Sequence, residues 1–386
     1  MPPYSTDLGR GAPASAVLRA LYGAARSLGL PPPAALIGDW FDSSAVIVPS
    51  VTVVAGQSIP SELRGWWVGS YRFNGEVVGG RSDAVLRLDQ HGHWWYDSVS
   101  TAAVPEWVST ALAGAPAAAW SATWVPPARE PHLSAVAQCL EAIRAGEVYQ
   151  ACVCTAYCGS LRGDPVDYFV DGVNAMRPRK SVFLQGDWGS VASFSPESFI
   201  RRRGDWVTSS PIKGTLPATA DPAALRASVK DVAENVMIVD LVRNDCGRVA
   251  VPGSVTVPEL LTVQPAPGVW HLVSTVAARL RAGITDPDLL AATFPPASVT
   301  GTPKLRALEL LSAWEYRERD FYCGAAGLAT ADELDLNVAI RTVEIARDGS
   351  AILGVGGGIT IDSVPDREWQ ECRDKAASIL ALRSSG

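Results

Sequence analysis

Charge is scarce in this chain of 386 residues: 19% of them are Asp, Glu, Lys or Arg, and acidic residues outnumber basic ones, for a formal net charge of −7. No basic stripe stands out, which excludes a surface built to neutralise nucleic-acid phosphates. Long apolar runs are also missing. None approaches the roughly 18–20 residues that cross a bilayer, so no membrane partner is expected. The Pro- and Ala-rich stretch 1–35 is broken by Arg19 and Arg26 and does not read as a signal peptide. Histidine occurs four times, and His91 and His93 flank Gly92 at a probable hairpin turn, a weak metal signal on their own. Seven cysteines without a secretion signal point to free thiols and a cytoplasmic protein. Cys152, Cys154 and Cys158 have the look of a metal cluster, but 148–157 reads as a β-strand that makes them small buried residues, and no fourth ligand lies nearby. Internal repeats are absent, as is the short βα alternation of a doubly wound sheet.

Forty-seven per cent of the residues are apolar, enough for a large interior. Strand-like segments dominate the first third, at 45–55, 66–73 and 84–88. A Pro/Ala-rich stretch, 113–131, reads as a linker. Ser134 then caps an amphipathic helix carrying Val136, Leu140 and Ile143 and ending at Gly146. The expected organisation is a strand-rich segment 1–125 followed by a second region, 126–386, in a mixed α/β protein with large sheets and outer helices. Asp221-Pro222 predicts a helix start, and the helix that follows carries Asp231 and Glu234 on one face. Glu368, Glu371 and Lys375 share a face of another helix near the C-terminus. Carboxylates so spaced ordinarily mark a solvated surface. The run Gly354-Val355-Gly356-Gly357-Gly358 offers backbone N–H groups with no Cβ over most of them, which suits an anion or a tight turn. Thr302-Pro303 starts a further helix, whose N-terminus attracts anions. Arg341, after the strand-like 336–340, can grip a carboxylate with two parallel hydrogen bonds.

The heptad Ser209-Ser210-Pro211-Ile212-Lys213-Gly214-Thr215 gives these pieces a common meaning. With Ser195-Pro196-Glu197, the run Glu234 to Asp245, Ser298-Val299-Thr300-Gly301-Thr302-Pro303-Lys304, Asn337 to Thr342, Gly356-Gly357-Gly358-Ile359 and Glu368-Trp369-Gln370-Glu371-Cys372, it resembles the motifs of the chorismate-utilising enzymes. Their order and spacing are closest to the branch of aminodeoxychorismate synthase component I. The resemblance is dense from about Ser134 to Lys375 and loose in the first third. It implies an α/β sandwich of two packed antiparallel sheets, with the site between them.

The roles that follow are what the resemblance implies. Lys213 attacks C2 of chorismate, the C4 hydroxyl leaves, and ammonia attacks C4, giving 4-amino-4-deoxychorismate for 4-aminobenzoate in folate or a specialised metabolite. An amine attacks carbon only when neutral, which burial or nearby cations favour. Related anthranilate synthases typically carry alanine at this position. Glu197 protonates the leaving hydroxyl, which requires a desolvated carboxyl. His271 is the family's active-site histidine. Gln150 stands where isochorismate and salicylate synthases typically have the lysine that activates water, and glutamine cannot serve as that base. Glu234 and Glu371 hold Mg²⁺, with Asp231 and Glu368 acting through water or from behind, in keeping with the oxygen preference of that ion. Arg341, Tyr322, Lys375, Thr300, Gly301 and the glycines Gly356, Gly357 and Gly358 bind the chorismate dianion. Neither a Leu-Leu-Glu-Ser type motif nor a glutaminase Cys-His-Glu triad is present, so ammonia is expected from a glutamine amidotransferase subunit. The alternatives are an enzyme making anthranilate or 2-amino-2-deoxyisochorismate, and a non-catalytic chorismate-binding subunit.

Overall fold

In the computed structural model, which describes residues 4–386, the strands form two antiparallel sheets stacked face to face. The larger sheet runs from Tyr4–Arg10 through His93–Ser98, Ala84–Leu88, Ser43–Val48, Ala34–Trp40, Lys180–Gly186, Gly189–Ser195, Thr342–Ile345, Ser350–Ile359 and Gln150–Arg162 to Gly301–Thr302. The other runs from Ile212–Pro217 through Val269–Arg279, Trp206–Ser210, Ser198–Arg203, Glu333–Val338, Ala325–Ala329, Trp66–Tyr71 and Val77–Ser82 to Val54–Ala55. Strands of the first third therefore enter both sheets, with no break in packing near residue 125.

The two-residue period of a strand explains the stacking. Leu36, Val46, Val48, Val182 and Leu184 face the second sheet and pack with Trp66, Val68, Val78 and Leu328. Their neighbours Ala35, Ala45, Ile47 and Phe183 face outward into a different core. The helices Ala14–Ser27, Pro165–Met176 and Pro365–Leu380 cover that outer face through Leu18, Leu21, Phe169 and Ile379. The helices Val229–Gly247 and Asp286–Thr293 cover the other sheet through Ile238, Val242 and Leu289. Between the sheets, both carboxylate oxygens of Asp335 accept from Lys180 Nζ, at 2.8 and 2.7 Å, and that ammonium lies 4.3 Å from the Trp40 ring centroid. Burial pushes the Lys180 pKa down and the Asp335 pKa up, against their mutual attraction. Asn337 Nδ2 also donates across the gap to the Lys180 carbonyl at 2.8 Å.

Three local readings of the sequence need correction. The stretch 113–131 contains the strand Ser121–Val125, paired to Gln150–Arg162, and is more than a linker. The helix read as capped by Ser134 already starts at Arg129; Glu130 and Arg129 are good helix formers in its first turn. The helix after Asp221-Pro222 is short, Ala223–Ala227. It breaks at Ser228, whose hydroxyl accepts from Asp231 N at 3.2 Å and caps the separate helix Val229–Gly247.

Candidate active site

The floor of the site is the pairing of Gln150–Arg162 with Ser350–Ile359, in which Cys152 opposes Gly358 and Cys154 opposes Gly356. The glycines answer to close approach. A Cβ on Gly354 would lie 2.1 Å from Tyr322 Cγ, and one on Gly356 would lie 2.5 Å from Cys154 Sγ. At Gly357 and Gly358 the crowding is by charge. A Cβ on Gly357 would lie 3.3 Å from Glu368 Oε2, 3.6 Å from Glu371 Oε1 and 3.8 Å from Lys375 Nζ. One on Gly358 would lie 3.2 Å from Lys213 Nζ, 3.3 Å from Glu234 Oε2 and 3.7 Å from Gln150 Oε1. Groups from four separate elements thus share the space over two glycines.

Each wall has a local cause. The pairing of Ile212–Pro217 with Val269–Arg279 slips between Ile212 and Thr215, and Gly214 has φ 88°. This bulge re-aims Lys213, whose Nζ sits 4.0 Å from Glu234 Oε2. Glu234 lies one helical turn after Lys230, and Lys230 Nζ is 3.8 Å from Glu234 Oε1 and 3.2 Å from Glu368 Oε1. Lys375 binds Glu371 Oε1 at 2.7 Å and the Gly356 carbonyl at 2.8 Å; this pair lies in a recess that stays open to water. Glu197 is buried, with Ile212 N directed at its Oε1 from 3.4 Å.

Electrostatics follows burial and these neighbours. Desolvation raises the Glu197 pKa, while Ser298 and Lys213 hold it back. Desolvation also raises Glu234, opposed by Lys213 and Lys230. At Glu371 burial pushes up, but Lys375, Lys230 and Lys213 together win and the pKa falls. His271 is driven down to about 4, by burial first and the Arg341 charge second. It is therefore neutral at pH 7, with Nδ1 hydrogen-bonded to Thr215 Oγ1 at 2.8 Å. Arg341 sits at φ 51°, largely buried, and its pKa is lowered by that burial. Its guanidinium has no protein acceptor among the described residues, so its donors are free for an anionic ligand.

Some expected residues stand elsewhere. The Thr300 hydroxyl donates to the Pro296 and Ala297 carbonyls, at 3.2 and 3.1 Å, and is used up in its own turn. Gly301 is a packing glycine: a Cβ there would lie 2.5 Å from the Gln150 carbonyl oxygen and 2.7 Å from Ala307 Cβ. Both shape the site without offering it a side chain. Asp231 packs on the bulge, 3.0 Å by its Cβ from a Cβ built on Gly214. The Tyr322 ring is buried against Gly354. Lys230 and Ser298 were not singled out from sequence, although Lys230 and Glu234 four residues apart on a helix were a usable signal.

The residues fit a divalent cation in part. Glu368 Oε2 is buried without a hydrogen-bond partner beside Glu371 at Gly357, and Lys230 connects Glu368 to Glu234. Oxygen donors over a Cβ-free strand suit Mg²⁺, which keeps several waters and takes few carboxylates. As they stand, lysines neutralise these groups, and among the described residues no three His, Cys, Asp or Glu side chains are gathered tightly enough to hold an ion.

The chorismate binding enzyme family pattern matches residues 102–381. The chain belongs to this family. Within it, aminodeoxychorismate synthase component 1 of Klebsiella aerogenes is 45% identical over 246 residues, covering 62% of this chain and 54% of the relative. Anthranilate synthase component 1 of Thermus thermophilus is 39% identical over 264 residues, covering 65% and 56%. The matched segment thus spans little more than half the length of these relatives. Among solved structures, the menaquinone-specific isochorismate synthase of Escherichia coli superposes with a TM-score of 0.77 at 18% identity, covering 98% of this chain and 95% of that one. This likeness is one of fold. Among the described residues no helix is long and apolar enough to cross a membrane.

Proposed function

We propose that this chorismate-binding chain aminates chorismate at C4, as aminodeoxychorismate synthase component I. The observation that carries the reading is Lys213, aimed by its bulge onto the Gly358 floor beside Glu234, with Gln150 at the same glycine. Lys213 Nζ forms a bond to C2, the ring double bonds shift, and the C4–O bond breaks. Glu197 supplies the proton with which the hydroxyl departs as water. Ammonia then forms the C4–N bond, the double bonds shift back, and the C2–N bond breaks. The proton that the lysine sheds after its attack restores Glu197, and a proton from the new C4 ammonium returns to the lysine as it leaves, so the sum is chorismate plus ammonia giving the 4-amino product plus water. Arg341 binds one carboxylate of the dianion; neutral His271 beside it can only donate or accept a hydrogen bond. Gln150 has no basic nitrogen, so water is not activated there.

Glu234 and Glu371 would hold Mg²⁺, with Glu368 alongside, and the ion would supply countercharge to the ring carboxylate. Glu371→Ala should keep the thermal unfolding midpoint within a few degrees, because this side chain is half open to water, yet abolish Mg²⁺ binding in calorimetry. An unchanged Mg²⁺ titration would remove Glu371 from the metal site.

Ammonia is best supplied by a glutamine amidotransferase partner, since a cysteine-based glutaminase needs its catalytic residues as a set. With chorismate and Mg²⁺, the purified chain should yield 4-amino-4-deoxychorismate from ammonium and little from glutamine, as read by chromatography against standards. Anthranilate as the main product would overturn the proposed reaction; efficient use of glutamine would overturn the need for a partner.

A further inference from the structure

The strand Gln150–Arg162 also walls a second cavity. Its side chains alternate across the sheet. Cys152 and Cys154 pack in one core with Tyr322, while Tyr157 packs in another with Val355 and Ile379. Gln150 shares the parity of Cys152, so Tyr157 lies on the other face of the strand from the Gln150 side chain. On the Tyr157 side is an open cleft of about 1050 Å³. Trp124 of the strand Ser121–Val125 forms one wall, and Trp369, Arg373 and Leu380 of the helix Pro365–Leu380 form another. Trp124 opposes Gly159, where a Cβ would lie 2.7 Å from Trp124 Cε3, so the missing side chain lets the indole lie on the strand. Trp369 and Arg373, one turn apart, belong to the helix that carries Glu368 and Glu371.

The cleft is rich in unused donors. Trp124 and Trp369 are half-buried, and neither Nε1 has a hydrogen-bond partner among the described residues; nor have the Tyr157 hydroxyl and the Arg373 guanidinium. Arg383, also on the wall, is held by its own chain, donating from Nη1 to the Leu382 carbonyl at 2.8 Å. Among the described residues no Asp or Glu lines the cleft, although acidic residues outnumber basic ones in the chain, 40 to 33. Asp171, which accepts from Trp120 Nε1 at 2.8 Å, is neutralised by Arg19 at 2.7 Å. Apolar walls with a few placed polar groups are the usual make-up of a small-molecule site. We propose that this cleft binds a planar aromatic monocarboxylate, its ring against Trp124, Tyr157 and Trp369 and its carboxylate on the Arg373 fork. One free guanidinium matches one negative charge; a phosphate ester or a dianion would leave charge uncovered. The inference stands whether or not the chain aminates chorismate.

The test is calorimetric titration of the whole chain with three probes. Benzoate has both features, cyclohexanecarboxylate keeps the charge without the ring face, and benzamide keeps the ring without the charge. Benzoate should bind at millimolar concentrations or below. Benzamide should bind at least about tenfold more weakly, the scale of hydrogen bonds to a charged group, and cyclohexanecarboxylate several-fold more weakly. Arg373→Ala should weaken benzoate at least about tenfold, and Arg373→Lys should recover part of the loss, since it restores the charge without the fork. Arg373 is exposed, so its variants should fold, which an unchanged thermal midpoint checks. Arg341 also has free donors, so Arg341→Ala is the control, and the Arg373-dependent binding should survive in it. Binding that is lost in Arg341→Ala and kept in Arg373→Ala puts the carboxylate at the chorismate site and overturns the proposal. Equal affinities for benzoate and benzamide, or no benzoate binding at millimolar concentrations, overturn it as well.

Discussion

Replacing Lys213 by alanine should abolish formation of 4-amino-4-deoxychorismate, with a loss of at least about a thousandfold in kcat, the scale on which covalent nucleophiles are missed. The effect should be on chemistry more than on binding. Arg341 remains with its donors free, Lys375 still holds the Gly356 carbonyl, and the glycine floor is unchanged. The altered product is the sharper part of the expectation. With no amine over C2, ammonia can attack that carbon directly, and the 2-amino isomer should appear in traces. Product analysis by chromatography against both isomers reads the two outcomes together. Wild-type rates of 4-amino product from the variant would leave Lys213 as a binding residue only.

Glu197→Gln should cost about a thousandfold in kcat, within the usual range for a general acid. It should also erase the high-pH limb of kcat/KM. The sign follows from its surroundings. Burial raises the Glu197 pKa above the ordinary carboxyl value, with Ser298 and Lys213 partly opposing. The protonated, active form therefore dominates at low pH and is lost as pH rises through this raised value. Glutamine does not titrate, so the variant's residual rate should be flat through that limb. A limb that survives in Glu197→Gln at its wild-type position would assign it to another group.

The strand-like segments of the first third anticipate large sheets with outer helices, and the resemblance carried by the motifs from Ser134 onward implies two packed antiparallel sheets, the architecture observed. Boundaries were less legible because local caps decide them. Ser228, an ordinary residue in a helical stretch by pattern, splits one expected helix into two. Within the site, the sequence points first to residues whose type is chemically demanding: Lys213, Glu197, Glu234, Glu371 and Arg341. The structure brings Lys213, Glu234, Glu371, Glu368, Lys375 and Gln150 around two adjacent glycines. Neighbouring motif positions take different surroundings. Thr300 and Gly301 lie in a motif run, where a tight turn takes up the Thr300 hydroxyl and close packing surrounds Gly301. Lys230 was missed because its importance is tertiary: it links two helices far apart in sequence.

Mass spectrometry of the protein, quenched rapidly after mixing with chorismate and Mg²⁺ in the absence of ammonia, tests the amination chemistry most directly. Without the second nucleophile the cycle should stall once water has left. The intact chain should gain the mass of chorismate less one water, peptide mapping should place the addition on Lys213, and adding ammonium should discharge it as 4-amino-4-deoxychorismate. A chain that turns chorismate over to the 4-amino product but never carries this mass on Lys213, at any quench time, would contradict covalent catalysis by that lysine.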